Sequence, residues 1–542
     1  MPLPDGGGAW PPPQLAPVLD KMAEWSAWYS GDANQLSVYY GGENADSFDS
    51  VSRARIINHP SQYRGGVVGR LARWWWGQPT PAGDRRAKIH LPIAGDIAAV
   101  SSRLLFSEPP TLTVEDHAPT QEWLDELTAE TSFRADLLEA AEVCAALGGV
   151  YLRTCWDREI RPEGPWLSAV HADAAIPEWR WNELRAVTFW HVIADDGKKV
   201  IRHLERHEPG AIIHGLYEGD ADKLGRKIPL TDMPETAPIA ESLTDGDLIE
   251  TDLKTLTVGY VPNIKPNRVW RALPAAANLG RSDLSGVEQF LDAIDEVYAS
   301  LMRDIRIGKG RLVVPSSYVE NLGPGQGGAF VDREVYEAVE TLGGTDKLEI
   351  GAHQFEIRVA EHLTAIEHLQ NRIVGMAGYS AQTFGDTGDV AVTATEVKAR
   401  ERKSNTTRDQ KTGYWGPFLG ARIENLAEAT RVHFERTDIE PQRPRVQFGD
   451  TVSEDMLTLA QTAAALRQAE AASTKILVAM VHADWDETQV DEEVERIQKE
   501  RGSVVSDPLA IRPEGATIQP GDPDEEGQDE PADEEPVEDD AA

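Results

Sequence analysis

Seven apolar residues between Leu284 and Ile305 constrain this chain more than any other feature of its sequence. Leu284, Val287, Leu291, Ile294, Tyr298, Leu301 and Ile305 recur at spacings of three, four, three, four, three and four. That rhythm puts them in one row on a helix of 3.6 residues per turn. At 1.5 Å per residue, the roughly 23 residues would make a rod about 34 Å long. A rod with one apolar seam needs a partner, and a second seam follows at Val359, Leu363, Ile366, Ile373 and Ala377. Between the two, "RLVVP" and "GPGQGGAF" read as a short strand and a glycine-rich turn. Two long helices carrying a compact tip are therefore predicted. Periodicity alone does not distinguish a helix pair closed within one subunit from one completed by other copies.

With 542 residues, the chain exceeds the size at which a single core stops growing, so several subdomains are expected. Apolar residues at 41% and charged residues at 27% describe a globular protein rather than a disordered or membrane-embedded one. Cys144 and Cys155 are too few for a disulfide framework or a thiolate zinc site. The start, "MPLPDGGGAWPPPQLAP", has neither the basic nor the apolar region of a signal peptide, and no apolar run approaches bilayer length. Acidic residues outnumber basic ones 91 to 53, for a formal charge of −38. Tight sequence-reading contact with nucleic acid needs a basic footprint, so this balance argues against it. The last 22 residues hold 12 acidic and no basic side chains among Pro and Gly, which reads as a disordered tail. The remaining 520 residues still carry −26.

The fold class expected is α+β, predominantly helical. Residues 18 to 150 read as mostly helical, with "LPIAGDIAAVSSRLLF" periodic and "SEPPTLTV" extended, because prolines 109 and 110 cannot continue a helix. "GVYLRTCW", "RAVTFWHVI", "KVIRHLERHE" and "GAIIHGLYEG" then read as strands bounded by turns. In "RHLERHE", His203 and His207 flank Glu205 and raise the question of a metal; a solvated strand face is the reading preferred, and no metal is expected. The run Trp74, Trp75, Trp76 could stack on bases, but burial at a contact between subdomains or subunits fits the apolar area of the rings better. No GxxxxGK[ST] loop, GxSxG elbow or HExxH pair is present, so neither an ATP-driven motor nor a familiar hydrolase is indicated, and no cofactor is expected.

"GYSAQTFGDTGDVAVTATEVKARERKS" joins the second seam to the next helix through a loop without Lys or Arg. Thr393 and Glu396 have capping-box spacing and predict a helix from about Ala394. Lys398, Arg400, Arg402, Lys403, Arg408 and Lys411 make its first part basic, against Glu401 and Asp409. Pairing with acidic surface, in this chain or a neighbour, is the first reading of that stripe; phosphate contact is the second. "GYWGPF" is expected to interrupt or kink the helix at Pro417. A strand and three helices should follow, the last with Val490, Val494 and Ile497 as its buried face.

Five passages in the same order resemble the portal proteins of tailed bacteriophages: "HLPIAGDIAAVSSRLLFSEPPTLTV", "VIRHLERHEPGAIIHGLYEG", "SDLSGVEQFLDAIDEVYASLMRDIRIGKGRLVVP", the loop passage above, and "DWDETQVDEEVERIQKE". The resemblance runs from about residue 15 to 502. It implies a non-enzymatic ring, as a rule of twelve subunits, with wing, stem, clip and crown regions around a DNA channel at a capsid vertex. It divides the chain into a flexible Pro/Gly-rich start (1–16), a wing (17–282), stem helix 1 (283–307), a clip (308–358) and stem helix 2 (359–378). A tunnel loop (379–392), a kinked long helix returning to the wing (393–445), a helical crown (446–502) and the acidic tail (503–542) complete it.

Partners implied are double-stranded DNA passing without sequence specificity, a terminase, a major capsid or scaffolding protein and a head-tail adaptor, with no membrane. The setting implied is the virion, after assembly in host cytoplasm. Gln382, Thr383, Phe384, Asp386, Thr387 and Asp389 would touch passing duplex without offering a cation. With one charge per about 1.7 Å of duplex, a basic lining would grip DNA. Acidic lining repels over roughly 8 Å at physiological salt. Lys398, Arg400, Arg402 and Lys403 would contact a neighbouring subunit or DNA. Two other readings stay open: a metal-dependent nucleic-acid-processing enzyme built on a carboxylate cluster, and a different structural capsid or connector protein.

Overall fold

The computed structural model describes residues 3–4, 6–40, 89–243, 246–307, 311–313, 320–321, 328–329, 351–353, 357–385, 394–449, 456–469, 471–482 and 487–502. The chain divides into two units, residues 1–451 and 452–542.

The first unit opens with helices α1 (Ala16–Ser30), α2 (Ala33–Tyr40) and α3 (Ile93–Phe106), strand β1 (Thr111–Thr113), and helices α4 (Ala118–Ala129) and α5 (Thr131–Leu147). Ile93, Ala94, Ile97, Ala98, Ser101 and Leu105 give α3 a buried face at helical spacing, and α3 packs on α5. Strands β2 (Gly149–Cys155) and β3 (Trp166–His171) then join β10 (Val258–Pro262) in an antiparallel sheet ordered β10-β2-β3. A larger antiparallel sheet runs β4 (Ala175–Arg180), β5 (Glu183–Asp195), β6 (Val200–Glu208), β7 (Ala211–Gly219), β8 (Arg226–Ile228), with β9 (Leu248–Glu250) also paired to β7. The short helix α6 (Ala237–Glu241) lies between β8 and β9 in the chain. The fold is thus mixed α+β, with more helix than strand.

Gly148 makes the turn from α5 into β2. Its φ of +87° is left-handed, its N–H caps the helix on the Cys144 carbonyl at 2.9 Å, and a Cβ there would sit 2.9 Å from the Gly280 carbonyl oxygen. Gly148→Ala is expected to destabilise the fold by about 1–3 kcal/mol, read as a lower denaturant midpoint at unchanged slope.

The Pro/Gly-rich start, expected to be flexible, packs against the large sheet instead. Leu3 and Trp10 are buried with Trp190, Leu204, Tyr217 and Leu224, Trp10 meets Trp190 edge-on at 5.8 Å, and the Trp10 N–H donates to the Asp222 carbonyl at 2.8 Å. The other face of the sheet is covered too, which corrects the solvated strand face expected for "RHLERHE": β6 is central, His203 packs with His191 and His214, His207 meets Phe189 and Thr257, and His203 and His207 are 2% and 1% exposed. Along β6, Arg202 and Leu204 face one layer while His203, Glu205 and His207 face the other, as two-residue alternation requires.

The seam helices α7 (Glu288–Ile307) and α8 (Val359–Ala377) pack against each other. α7 begins four residues after Leu284 because Gly286, at φ +93°, turns the chain just before it, and the Glu288 carboxylate accepts the Gly286 N–H at 2.7 Å. Leu284, Val287, Leu291, Ile294 and Leu301 are nevertheless buried, and Tyr298 is half-buried against them. Ile366, Ile373 and Ala377 are buried on α8, but Ile305, Val359 and Leu363 are 39%, 42% and 51% exposed. The seam therefore opens to solvent at the far end of the pair, where Asp304 holds Arg358 and His362 at 3.0 Å each. Beyond that end the described residues are two short backbone pairings, β11 (Arg311–Val313) with β14 (Gly351–His353) and β12 (Glu320–Asn321) with β13 (Gly328–Ala329).

Helix α9 (Ala394–His433) passes through Pro417 without the expected interruption. Proline removes one helix bond, but tertiary packing holds the flanks: Trp415, Leu419 and Ile423 are buried, and the Arg443 guanidinium donates to the Pro417 carbonyl. Strand β15 (Arg445–Gln447) then pairs with β1. Thr393 of the predicted capping box, and the run Trp74, Trp75, Trp76, lie outside the described residues.

The second unit holds α10 (Met456–Gln468), α11 (Thr474–Val481) and α12 (Glu487–Gly502), as a strand-then-three-helix reading requires. Ser473 caps α11, accepting the Ile476 N–H at 3.4 Å. Val490 is buried, with Val494 and Ile497 half-buried beside it in the α12 register.

Candidate functional site

The connection from α8 to α9 is fastened where it leaves one helix and where it passes the other. α8 ends in a Schellman turn: Gly378, at φ +105°, donates to the Gly375 carbonyl at 3.3 Å and Tyr379 donates to that of Val374 at 3.0 Å. The Lys403 ammonium donates to the same Gly375 carbonyl, satisfying a helix C-terminus with a cation. Thr407 Oγ1 donates to the Gly378 carbonyl at 2.6 Å. One turn earlier on α9, Ser404 Oγ accepts the Ser380 N–H at 3.0 Å and lies 2.8 Å from Thr383 Oγ1. Residues Ala381–Phe384 form a single 3-10 turn closed by Gly385 at φ +83°.

Below this turn lies a buried ionic cluster. Lys411 Nζ donates to Asp283 Oδ2 and Ser101 Oγ, both at 2.6 Å, and to Tyr379 Oη at 2.9 Å. The Lys411 and Asp283 side chains are 2% and 1% exposed. Tyr379 in turn donates to Asp283 Oδ2 at 2.7 Å, and Asn263 Nδ2 donates to Asp283 Oδ1 at 2.8 Å. Burial, and after it the Asp283 charge, hold the Tyr379 phenol well above its ordinary pKa, so it stays a donor. Five segments meet here: α3 through Ser101, the approach to α7 through Asp283, the end of α8 through Tyr379, α9 through Lys411, and the bend just after β10 through Asn263. A charge pair this deep is worth little as net stability, but losing either partner strands the other, so its geometry is strongly specified.

Among the residues singled out from sequence, Gln382, Thr383 and Phe384 belong to the fastened turn. Phe384 is half-buried, with its ring 6.2 Å from that of Tyr379. Asp386, Thr387 and Asp389 lie outside the described residues. Lys398 and Arg400 stand on the first turns of α9; Arg402 is exposed; Lys403 is spent on the α8 terminus. Farther along, Arg408 donates to the Leu104 carbonyl at 2.7 Å and to that of Gly449. Within the stripe, Lys403 and Arg408 thus serve backbone carbonyls, and Lys411 pairs with a buried carboxylate. The sequence reading missed Asp283, Tyr379 and Ser404. A signal existed: Lys411 sits four residues before Trp415 and eight before Leu419, in the buried register of α9 rather than on its solvent face.

The arrangement offers no catalytic constellation. Among the described residues no group of three or more His, Cys, Asp or Glu side chains could hold a metal ion. What it can do is mechanical: hold the end of α8 and the turn through Phe384 in place against α9.

The model of the family described as phage portal protein, SPP1 Gp6-like, matches residues 29–506. No curated protein matches the chain. Similar solved structures include the neck of an empty GTA particle computed with C6 symmetry, at 12% identity and TM-score 0.42, covering 72% of this chain and 90% of that one. The neck of a native GTA particle computed with C12 symmetry matches at 12% identity and TM-score 0.36, covering 72% and 89%.

Proposed function

The chain belongs to the SPP1 Gp6-like family of phage portal proteins, and from that membership we propose that its copies form a ring around a DNA channel at the capsid vertex of a virion. The family is structural rather than enzymatic. In this reading α7 and α8 are the stem helices, residues 308–358 the clip, residues 17–282 the wing, and residues 446–502 the crown. The clip would meet the terminase during filling and the head-tail adaptor afterwards, with capsid or scaffolding protein around the ring. The exposed end of the α7–α8 seam at Ile305, Val359 and Leu363 supports packing against further copies, since apolar side chains grouped there gain from cover.

The observation that carries the reading is the double fastening of the α8–α9 connection. A segment that touches moving DNA needs fixed roots and a lining that does not grip. Here the roots are tied by Schellman, hydroxyl and buried ionic contacts, and residues 385–393 hold Asp386 and Asp389 but no cation. Gln382, Thr383 and Phe384 act as the anchored base, and the residues after Gly385 act as the compliant part. Deleting residues 386–391 is expected to change the amount of DNA packaged or retained in assembled particles while rings still form. Wild-type packaging and retention from such rings would remove the gating role.

A further inference from the structure

The first unit carries a basic, tryptophan-tipped surface whose cations are paired with no carboxylate among the described residues. The segment 263–281 contains Lys265, Arg268, Arg271 and Arg281 and no acidic residue; residues 178–185 of the β4–β5 hairpin add Arg180 and Arg185 against Glu178 and Glu183. In a chain with 91 acidic and 53 basic residues, six cations against two carboxylates, one of them already held by Arg206, is a local inversion. The two segments are adjacent: Lys265 Nζ lies 5.9 Å from the Trp179 ring. Among the described residues none of the six has a salt-bridge partner within 4.0 Å. Elsewhere the chain spends its cations freely, on Asp304, Glu178, Glu205, Glu218 and Asp283.

The hairpin tip sharpens the point. Arg180 pairs with Glu183 across a two-residue turn whose central residues, Trp181 and Asn182, have φ of +56° and +66°. Such a turn favours Asn or Gly at both places; a tryptophan in the left-handed region is strained and gains nothing locally. Trp181 is 88% exposed and Val269, on the adjoining segment, 66%. Tryptophan and arginine are the residues most enriched where protein interfaces concentrate their binding energy, and five of these six cations are arginine.

We infer that this surface is one half of a heterologous subunit contact, with Trp181 as its anchor and the acidic face of a second copy of this chain as its occupant. Charge decides the occupant: the first 520 residues carry −26, so acid outweighs base on a neighbouring copy. Helix α4 shows the required chemistry, with Glu122, Asp125 and Glu126 exposed and no basic residue along it. A patch that meets a different patch on the next copy leaves both free at each end, which closes only as a ring or continues as a filament. The inference rests on the ring reading and adds to it which side chains hold neighbours together.

The test uses full-length protein with Trp181→Ser, and separately Arg180→Glu with Arg185→Glu and Arg268→Glu, all at exposed positions. Native mass measurement against concentration should show assembly weakened at least 30-fold by either variant, with the subunit's circular dichroism and thermal midpoint kept, and wild-type assembly weakening as salt rises. Variants that assemble like a ring-forming wild type would overturn the contact and leave the ring reading standing. A wild type that never exceeds a monomer would overturn both. If the variants assemble normally but lose binding to a fluorescent 30-base-pair duplex that the wild type binds, the surface is a nucleic-acid contact and the inference is wrong.

Discussion

Replacing Lys411 by methionine is expected to destabilise the first unit by roughly 3–5 kcal/mol, the largest effect of any single substitution considered for this chain. The loss comes less from the missing attraction than from what remains: an Asp283 carboxylate 1% exposed, facing Tyr379 and Asn263 with no cation to balance it. Pairing the change with Asp283→Asn removes the stranded charge, and the double variant should recover most of the loss. Denaturant unfolding of the four proteins in a double-mutant cycle would read this as a coupling energy of opposite sign to the single effects. Additive losses would mean that the two groups do not share one cluster.

Mild acid is expected to unfold the large sheet from within. Imidazoles of His191 on β5, His203 on β6 and His214 on β7 pack together, with His203 Nε2 3.2 Å from His214 Nδ1 and His203 Nδ1 buried without a partner. Burial first, then His191 and His214, push His203 down to about 3; burial also lowers His191 and His214. Glu205 on β6 faces the group with Arg153 on β2; burial would raise Glu205, but Arg153 and His207 hold it well below its ordinary range.

The sign follows from proton uptake. The unfolded chain binds protons near pH 6.5 that the folded imidazoles refuse, so stability is full above pH 6.5 and falls as pH drops toward 3. His203 alone contributes up to about 1.4 kcal/mol per pH unit across that window. Glu205 adds to the loss below its unfolded value of 4.5, because acid must also break its pairing with Arg153. His203→Leu should flatten the dependence between pH 6.5 and 4.5 in unfolding titrations. A slope unchanged by that substitution would place the acid sensitivity elsewhere.

Much of the architecture could be read from residue spacing, because it rests on local rules. β6 and β7 appeared as short, β-rich runs bounded by turns, and the α7 seam as a repeat of three and four, since both follow from neighbouring residues alone. What escaped were features fixed by distant partners. Nothing near His203 in the chain says that a tryptophan about 190 residues earlier covers the opposite face of its sheet. Pro417 speaks locally for a break, and the packing of Trp415 and Leu419 overrules it. The candidate site was half legible: the loop was visible in its composition, but its anchor joins Asp283 to Lys411 across 128 residues of sequence. Lys411 looked like one cation in a surface stripe because charge was counted along the chain, whereas its helical register pointed inward.

The fastened roots leave the intervening residues free to vary over evolutionary time. Because Gly378 and Ser380 are tied to Thr407 and Ser404, the body does not register how many residues lie between Gly385 and Ala394. Doubling such a segment costs only about 0.6 kcal/mol in closure entropy. The length, composition and charge of this stretch can therefore change at little cost to the surrounding architecture.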